Sequence, residues 1–379
     1  MVTLVELLDG MIERSASDLY LTADSAPMYR VNDTLEPSSS EVLQPSDTQQ
    51  LARGIMSDSQ WSEFLDAQEM NLGINHGAGG RFRVNVFQQR SCIGLVVRRI
   101  RADIPTVEGL GLPMLYKEIA TTKRGLVLVV GSTGSGKSTS LAAMIGHRNQ
   151  TMFGHIVTVE DPIEFVHTHQ RSIVTQREIG IDTPCLESAL KNSLRQAPDV
   201  ILIGEIRDAA TMDAAVTFAE TGHLCLATLH SNNANQALER ILSFFPVDRH
   251  KQILMQLSLN LRAILSQRLV QAATGGRVAA VEVLLDSPRV KDLILKGQVD
   301  EIKEVMEKST NFGMQTFDQH LHQLFKDGII SLDEALRNAD SANNLRVRIR
   351  LEAADDQASH RAGSNPDTSP SELCIQRDH

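Results

Sequence analysis

The sequence predicts an α/β fold: a domain on a mainly parallel sheet, preceded by a smaller α+β domain and followed by C-terminal helices. Three observations carry this. Short segments dense in β-branched residues, "GLVLVVG", "HIVTVED", "DVILIGE", "HLCLATLH" and "RVAAVEVLLD", recur between residues 125 and 286. Helical segments alternate with them, and strands buried on both faces and joined by helices form parallel sheets. Before about residue 100, strands follow one another with the helices set apart, the texture of an α+β domain. At 379 residues the chain is long enough for two or three separate cores.

The elements follow in order. The opening "MVTLVELLDGMIERSASD" places Val2, Leu4, Val5, Leu8, Met11 and Ile12 at helix spacing, with Glu6, Asp9 and Glu13 on the polar side. It lacks the basic start and unbroken apolar centre of a signal peptide and is expected to be the amphipathic first helix of a folded domain. "SDLYLTA" and "MYRVND" alternate apolar with polar, and one helix is expected over "TQQLARGIMSDSQWSEFLDAQ". "GRFRVNVFQQR" and "CIGLVVRRI" read as paired strands around a turn. Residues 1–100 thus form the small domain, and 101–113, with Pro105 and Pro113, the linker. Residues 114–290 hold the parallel sheet. Within them, Leu186, Ala189, Leu190, Leu194 and Ala197 share a helical face, and Asp208 and Gly222 bracket a second helix. A helical region covers 291–351, and 352–379, polar and rich in Ser, Asp and Pro, is expected to be a disordered acidic tail.

Composition excludes some classes. Hydrophobic residues make up 42% of the chain, ordinary for a folded protein. A net charge of −10 with 4% aromatics argues against nucleic-acid binding, which neutralises phosphates with Lys and Arg. Cys92, Cys185, Cys225 and Cys374 are scattered and form no C-x-x-C pair, so reduced thiols in a cytosolic protein are expected rather than disulfides or zinc. No apolar run approaches the ~18 residues of a membrane span.

The chemistry sits in four stretches. Gly131-Ser132-Thr133-Gly134-Ser135-Gly136-Lys137-Ser138, followed by Thr139, fits G-x-x-x-x-G-K-[ST] in full. Glycines let successive backbone N–H groups wrap phosphates, Lys137 reaches the β/γ-phosphates and Ser138 ligates Mg²⁺. A nucleoside triphosphate, ATP, is the expected ligand. "DVILIGEIRD" ends a strand at Glu205, placed to hold the magnesium shell through a water. "HIVTVEDPIEF" ends another at Glu160, the candidate base for the attacking water. In "TGHLCLATLHSNN", His223 and His230 flank a strand and stand on the order of 20 Å apart, too far to share an ion. His230 lies at the phosphate end as a candidate γ-phosphate sensor. Arg81 and Arg83 share a strand face, and Arg98 and Arg99 follow on the next strand. Arg83 and Arg98 are candidates to offset transition-state charge when the first domain closes over the nucleotide.

Together these stretches resemble the secretion-type ATPases, and within them the PilT/PilU retraction ATPases of type IV pili. The similarity spans about residues 1–340. "ASDLYL" and "PMYRVND" look like that family's N-terminal domain, "GSTGSGKST" like its Walker A loop, "VEDPIEF" like its acidic box, "GEIRD" like its Walker B box and "TGHLCLATLH" like its two-histidine box. The paired C-x-x-C motifs of the extension relatives are missing, which favours retraction. "RVKDLI" at 289–294 replaces the "AIRNLI"-type segment of PilT-like chains and a long acidic tail follows, which leans toward the PilU side. The resemblance implies a PAS-like first domain, a RecA-like second domain and a homohexameric ring with nucleotide between the two domains. It also implies an inner-membrane platform protein as partner, a PilT-type ATPase as a second one, and a cytoplasmic location at the inner face of the inner membrane, at the pilus base, attached through partners only.

Three other classes share the loop. A DNA-translocating motor needs a basic stripe interleaved with aromatics. A small-molecule kinase needs an acceptor pocket and lid, which have no signature here. A non-hydrolysing scaffold has no use for Glu160 and Glu205 beside Lys137.

Overall fold

The computed structural model describes residues 3–77, 80–100 and 103–362. The first domain comprises α1 (Leu4–Glu13), β1 (Asp18–Leu21), β2 (Met28–Val31), β3 (Thr34–Pro37), α2 (Pro45–Gly54), α3 (Asp58–Ala67), β4 (Glu69–Asn75), β5 (Arg81–Gln89) and β6 (Cys92–Arg99). Its six strands form an antiparallel sheet in the order β3-β2-β1-β6-β5-β4. One sheet face carries Leu19, Phe82, Val84, Val86, Leu95 and Val97, buried against Leu7, Leu8 and Met11 of α1 and Phe64 of α3. The alternation of β5 turns Arg81, Arg83 and Asn85 to the other face. Arg83 stands directly opposite Arg98 in the β5–β6 register, so the two guanidinium groups share that face.

The single helix expected over 48–68 is two helices. Ser57 interrupts it as an N-cap, with its side chain accepting from the Gln60 N–H while Gln60 reaches back to the Ser57 N–H. That reciprocal pair satisfies donors that a continuous helix would have left to its own backbone.

The second domain comprises α4 (Leu115–Ala120), β7 (Gly125–Val130), α5 (Lys137–Thr151), β8 (Gly154–Glu160), β9 (Ser172–Glu178), α6 (Leu186–Ser193), β10 (Val200–Ile203), α7 (Ala209–Glu220), β11 (Leu224–Leu229), α8 (Ala234–Ser243), α9 (His250–Asn260), β12 (Leu261–Gln271) and β13 (Arg277–Leu285). The sheet order is β13-β12-β7-β11-β10-β8-β9, parallel throughout except for the β12–β13 hairpin. Leu126, Leu128 and Val130 of β7 pack into one core with α7, α8 and α9, while Val127 and Val129 pack into another with α4 and α5. This two-sided burial explains the unbroken apolar runs. Two strands of this sheet went unread. β9 and β12 carry Gln176, Ser266, Gln267 and Arg268 within them, and these polar residues break the apolar pattern.

Helices α10 (Pro288–Lys296), α11 (Ile302–Lys308), α12 (Phe317–Lys326), α13 (Leu332–Asn338) and α14 (Ala342–Ala362) complete the described chain. Phe317, Leu321 and Leu324 of α12 pack on Val270 and Ala280 of the hairpin. α14 crosses residue 352, where the tail was expected to begin; its run "EAADDQASHRA" is rich in Ala and other helix formers. Residues 363–379 of that expected tail lie outside the described residues. Among the described residues, no helix is long and apolar enough to cross a membrane.

Candidate active site

The site forms at the carboxyl ends of β7, β8, β10 and β11, where open parallel sheets bind ligands. Central strand β7 runs into the loop Gly131–Gly136, which opens α5. Gly131 adopts φ +155°, and a Cβ there would stand 2.4 Å from Ser135 Oγ and 2.5 Å from the Gln267 carbonyl oxygen. Gly136, the N-cap, adopts φ +88°. Only glycine meets both conditions.

No side chain caps α5 and no acidic residue stands in its first turn, so its leading N–H groups and positive dipole end are left to an anion. Ser135 Oγ is buried without a hydrogen-bond partner among the described residues. These features fit a bound phosphate chain. Lys137 is buried, its Nζ donating to the carbonyls of Gly131 and Ser132 at 2.8 Å each, which sets the ammonium at the loop mouth. Burial lowers its pKa, and the carboxylates of Glu205 and Glu164 oppose that shift.

A cleft of about 650 Å³ runs along the loop, lined by Lys137, Ser138, Glu160, Glu164, Glu205 and His230 among others. Glu160 ends β8. Its Oε1 accepts from Thr158 Oγ1 at 2.6 Å and from Gln176 Nε2 at 3.2 Å. Burial pushes its pKa up to about 6; the two hydrogen bonds pull it back down, and the charges of Glu164 and Glu178 add to the rise. Glu205 follows β10 and is gripped by Arg207, with Nε 2.8 Å from Oε2, while His230 Nε2 stands 3.1 Å from Oε1. Arg207 also lies 3.7 Å from Asp161. Ser138 Oγ donates to Glu164 Oε1 at 2.7 Å.

The structure therefore brings Lys137, Ser138, Glu160, Glu205 and His230 to one cleft. Thr139 faces a neighbouring one of about 720 Å³, shared with Glu164 and with Arg83 and Arg98 of the first domain. Arg83 Nε lies 3.9 Å from buried Glu178, and Arg98 Nε donates to Asp18 at 2.8 Å. Both arginines thus stand across from the start of α5, on partners of their own. His223 is at the other end of β11, with Nδ1 within 3.1 Å of Thr221 Oγ1 and the Phe218 carbonyl, closing α7.

Several residues of the site went unread, among them Arg207, Thr158, Gln176, Glu164 and Gln267. Glu164 sits inside "VEDPIEF", and its spacing from Glu160 was the available signal. Buried Gln267 accepts from Ser140 Oγ at 2.7 Å and lies directly beneath the glycine loop; only the pairing of β12 with β7 puts it there.

Fold and site together define a P-loop nucleotide-binding protein. The family model described as "Type II/IV secretion system protein" matches residues 2–337, and the chain belongs to that family. It is 55% identical to the "Type IV pilus ATPase PilU" of Pseudomonas aeruginosa, covering 93% of this chain and 92% of that one. It is 39% identical to the "Type IV pilus retractation ATPase PilT" of the same organism, over 90% and 99% of the two chains. A crystal structure of the pilus retraction motor PilT with bound ADP superposes with a TM-score of 0.83 at 39% identity, covering 90% of this chain and 98% of that one.

Proposed function

We propose that the chain hydrolyses ATP and uses the resulting domain movement to retract type IV pili. The observation that carries this is the convergence of Lys137, Glu160, Glu205 and His230 on one cleft beneath a glycine loop, in a chain so similar to named pilus ATPases.

Backbone N–H groups of Gly131–Thr139 hold the triphosphate, and Lys137 bridges its outer phosphates. Glu160 lines up the attacking water and takes its proton as the γ-phosphate leaves. With a pKa near 6 it is ionised at neutral pH and still basic enough to accept that proton. Ser138 and Glu205 are the side chains that would hold Mg²⁺, an ion that keeps several of its own waters. When bound, magnesium neutralises charge on the phosphates. His230, against Glu205, reads the γ-phosphate. Arg83 and Arg98 reach the nucleotide when the first domain closes, so cleavage is coupled to a rotation of one domain against the other.

Six copies form a ring that works on a platform protein in the inner membrane, from its cytoplasmic face. A second reading, an accessory ATPase that supports a PilT-type motor, draws on the chain being more identical to a relative named only as a pilus ATPase than to the one named for retraction. Phosphate release by the pure protein, with Mg²⁺ and with or without DNA, tests the enzyme: DNA-independent release that is lost in Lys137→Ala is expected, and none at all refutes it. Supplying the chain alone, or with a PilT-type protein, to piliated cells lacking both separates the two readings. Retraction with the chain alone supports the motor, retraction only in the pair supports the accessory, and no effect in either refutes both.

A further inference from the structure

We propose that Thr158 and Gln176 are positioning residues for Glu160: they pin its Oε1 to the sheet and leave Oε2 to the attacking water. The inference rests on the reading of Glu160 as the hydrolytic base.

Thr158 and Gln176 stand opposite each other in the β8–β9 register. Their side chains converge on the same oxygen, Thr158 Oγ1 at 2.6 Å and Gln176 Nε2 at 3.2 Å, and among the described residues no other protein group donates to this carboxylate. Gln176 is itself held at both ends. Its Nε2 also donates to the Phe165 carbonyl at 2.8 Å, and its Oε1 accepts from the His167 N–H at 2.7 Å. Turning Gln176 away would break all three bonds. It therefore ties the base to the loop that follows β8 and carries Glu164 to Ser138. Thr158 is 1% exposed and its hydroxyl has Glu160 as its sole partner among the described residues.

The physical point is geometric. A carboxylate free to spin about its last torsion presents either oxygen, or neither, to a water, and small errors in placement cost large factors in rate. Two donors on one oxygen remove that freedom. They also favour the ionised form, against burial and the charges of Glu164 from the loop and Glu178 from β9. Lys137, Glu205 and His230 line the same cleft from the other elements.

The experiment is steady-state ATP hydrolysis by the full-length chain across pH 5.5–9 for Thr158→Val, Thr158→Ser, Gln176→Met and Glu160→Gln. Thr158→Val removes one donor without touching the loop, and Gln176→Met removes the other. Each is expected to lower kcat roughly tenfold with the KM for ATP within about twofold. The acidic limb should move to higher pH, so that the deficit is larger at pH 6.5 than at pH 8.5. Thr158→Ser should regain most of the rate. If Glu160→Gln is inactive while Thr158→Val keeps both its kcat and its acidic limb, the positioning role is overturned and the base reading stands. A rate loss in Thr158→Val carried by KM, with an unmoved pH profile, overturns it equally. If Glu160→Gln itself turns over normally, the base reading has failed first, and the positioning role falls with it.

Discussion

Replacing Glu160 by Gln separates chemistry from folding more cleanly than any other change at this site. The amide is the same size, and its oxygen can still accept from Thr158 Oγ1 and Gln176 Nε2. Losing a general base lowers turnover by about 10²–10⁴-fold. Stability should move the other way. The carboxyl group rises from 4.5 to about 6 on folding, which corresponds to about 2 kcal/mol. Because the folded chain holds this proton more tightly than the unfolded one, the contribution to stability is greatest below pH 4.5. It is lost as pH rises through 6 and stays lost above it. At pH 7.5 wild type therefore carries the full penalty, and the neutral amide does not. The variant should gain up to about 2 kcal/mol, a rise in Tm of a few degrees, while binding nucleotide normally. Phosphate release, titration with a fluorescent ATP analogue and thermal melts at pH 7.5 check the three parts. Turnover within tenfold of wild type would refute the base role. Lost nucleotide binding would make the carboxylate structural, and a lower Tm would contradict the cost of burying it.

Lys137→Ala should abolish turnover and weaken nucleotide binding by at least ~30-fold, since losing a buried charge partner costs about 2 kcal/mol or more; calorimetric titration with ATP and Mg²⁺ measures it. Gly131→Val drives a side chain into Ser135 and the Gln267 backbone at a φ of +155°, and should lose nucleotide binding along with about 1–3 kcal/mol of stability, read from urea unfolding. Ser140→Ala leaves the buried Gln267 Oε1 without its donor and should cost about 1–3 kcal/mol in the same assay. Arg83→Ala should lower kcat more than nucleotide affinity, because its partner on the second domain is engaged across a cleft rather than within the loop; unchanged kcat would remove it from the mechanism.

Local patterns settled a good deal of this protein. The loop Gly131–Ser138 could be read because each glycine answers a backbone demand of its own, and a phosphate needs consecutive N–H groups from one short segment. β7, β10 and β11 could be read because burial on both faces leaves no polar residue in the first two and only Thr228 in the third. Glu160 ends β8, and Glu205 and His230 follow within two residues of β10 and β11, so their arrival at one edge follows from the parallel sheet. What the tertiary structure decided involves partners far apart in the chain. β12 breaks its apolar run with Ser266, Gln267 and Arg268, residues that make sense only against Glu282, Ser140 and Asp340. Gln176 is an ordinary polar residue until β9 is laid beside β8. Arg83 and Arg98, fifteen positions apart, face the second domain because of the strand register and the seating of one domain on the other. Periodicity reports how each segment divides its residues between core and surface; which distant side chain meets a buried polar group is decided only when strands choose their neighbours.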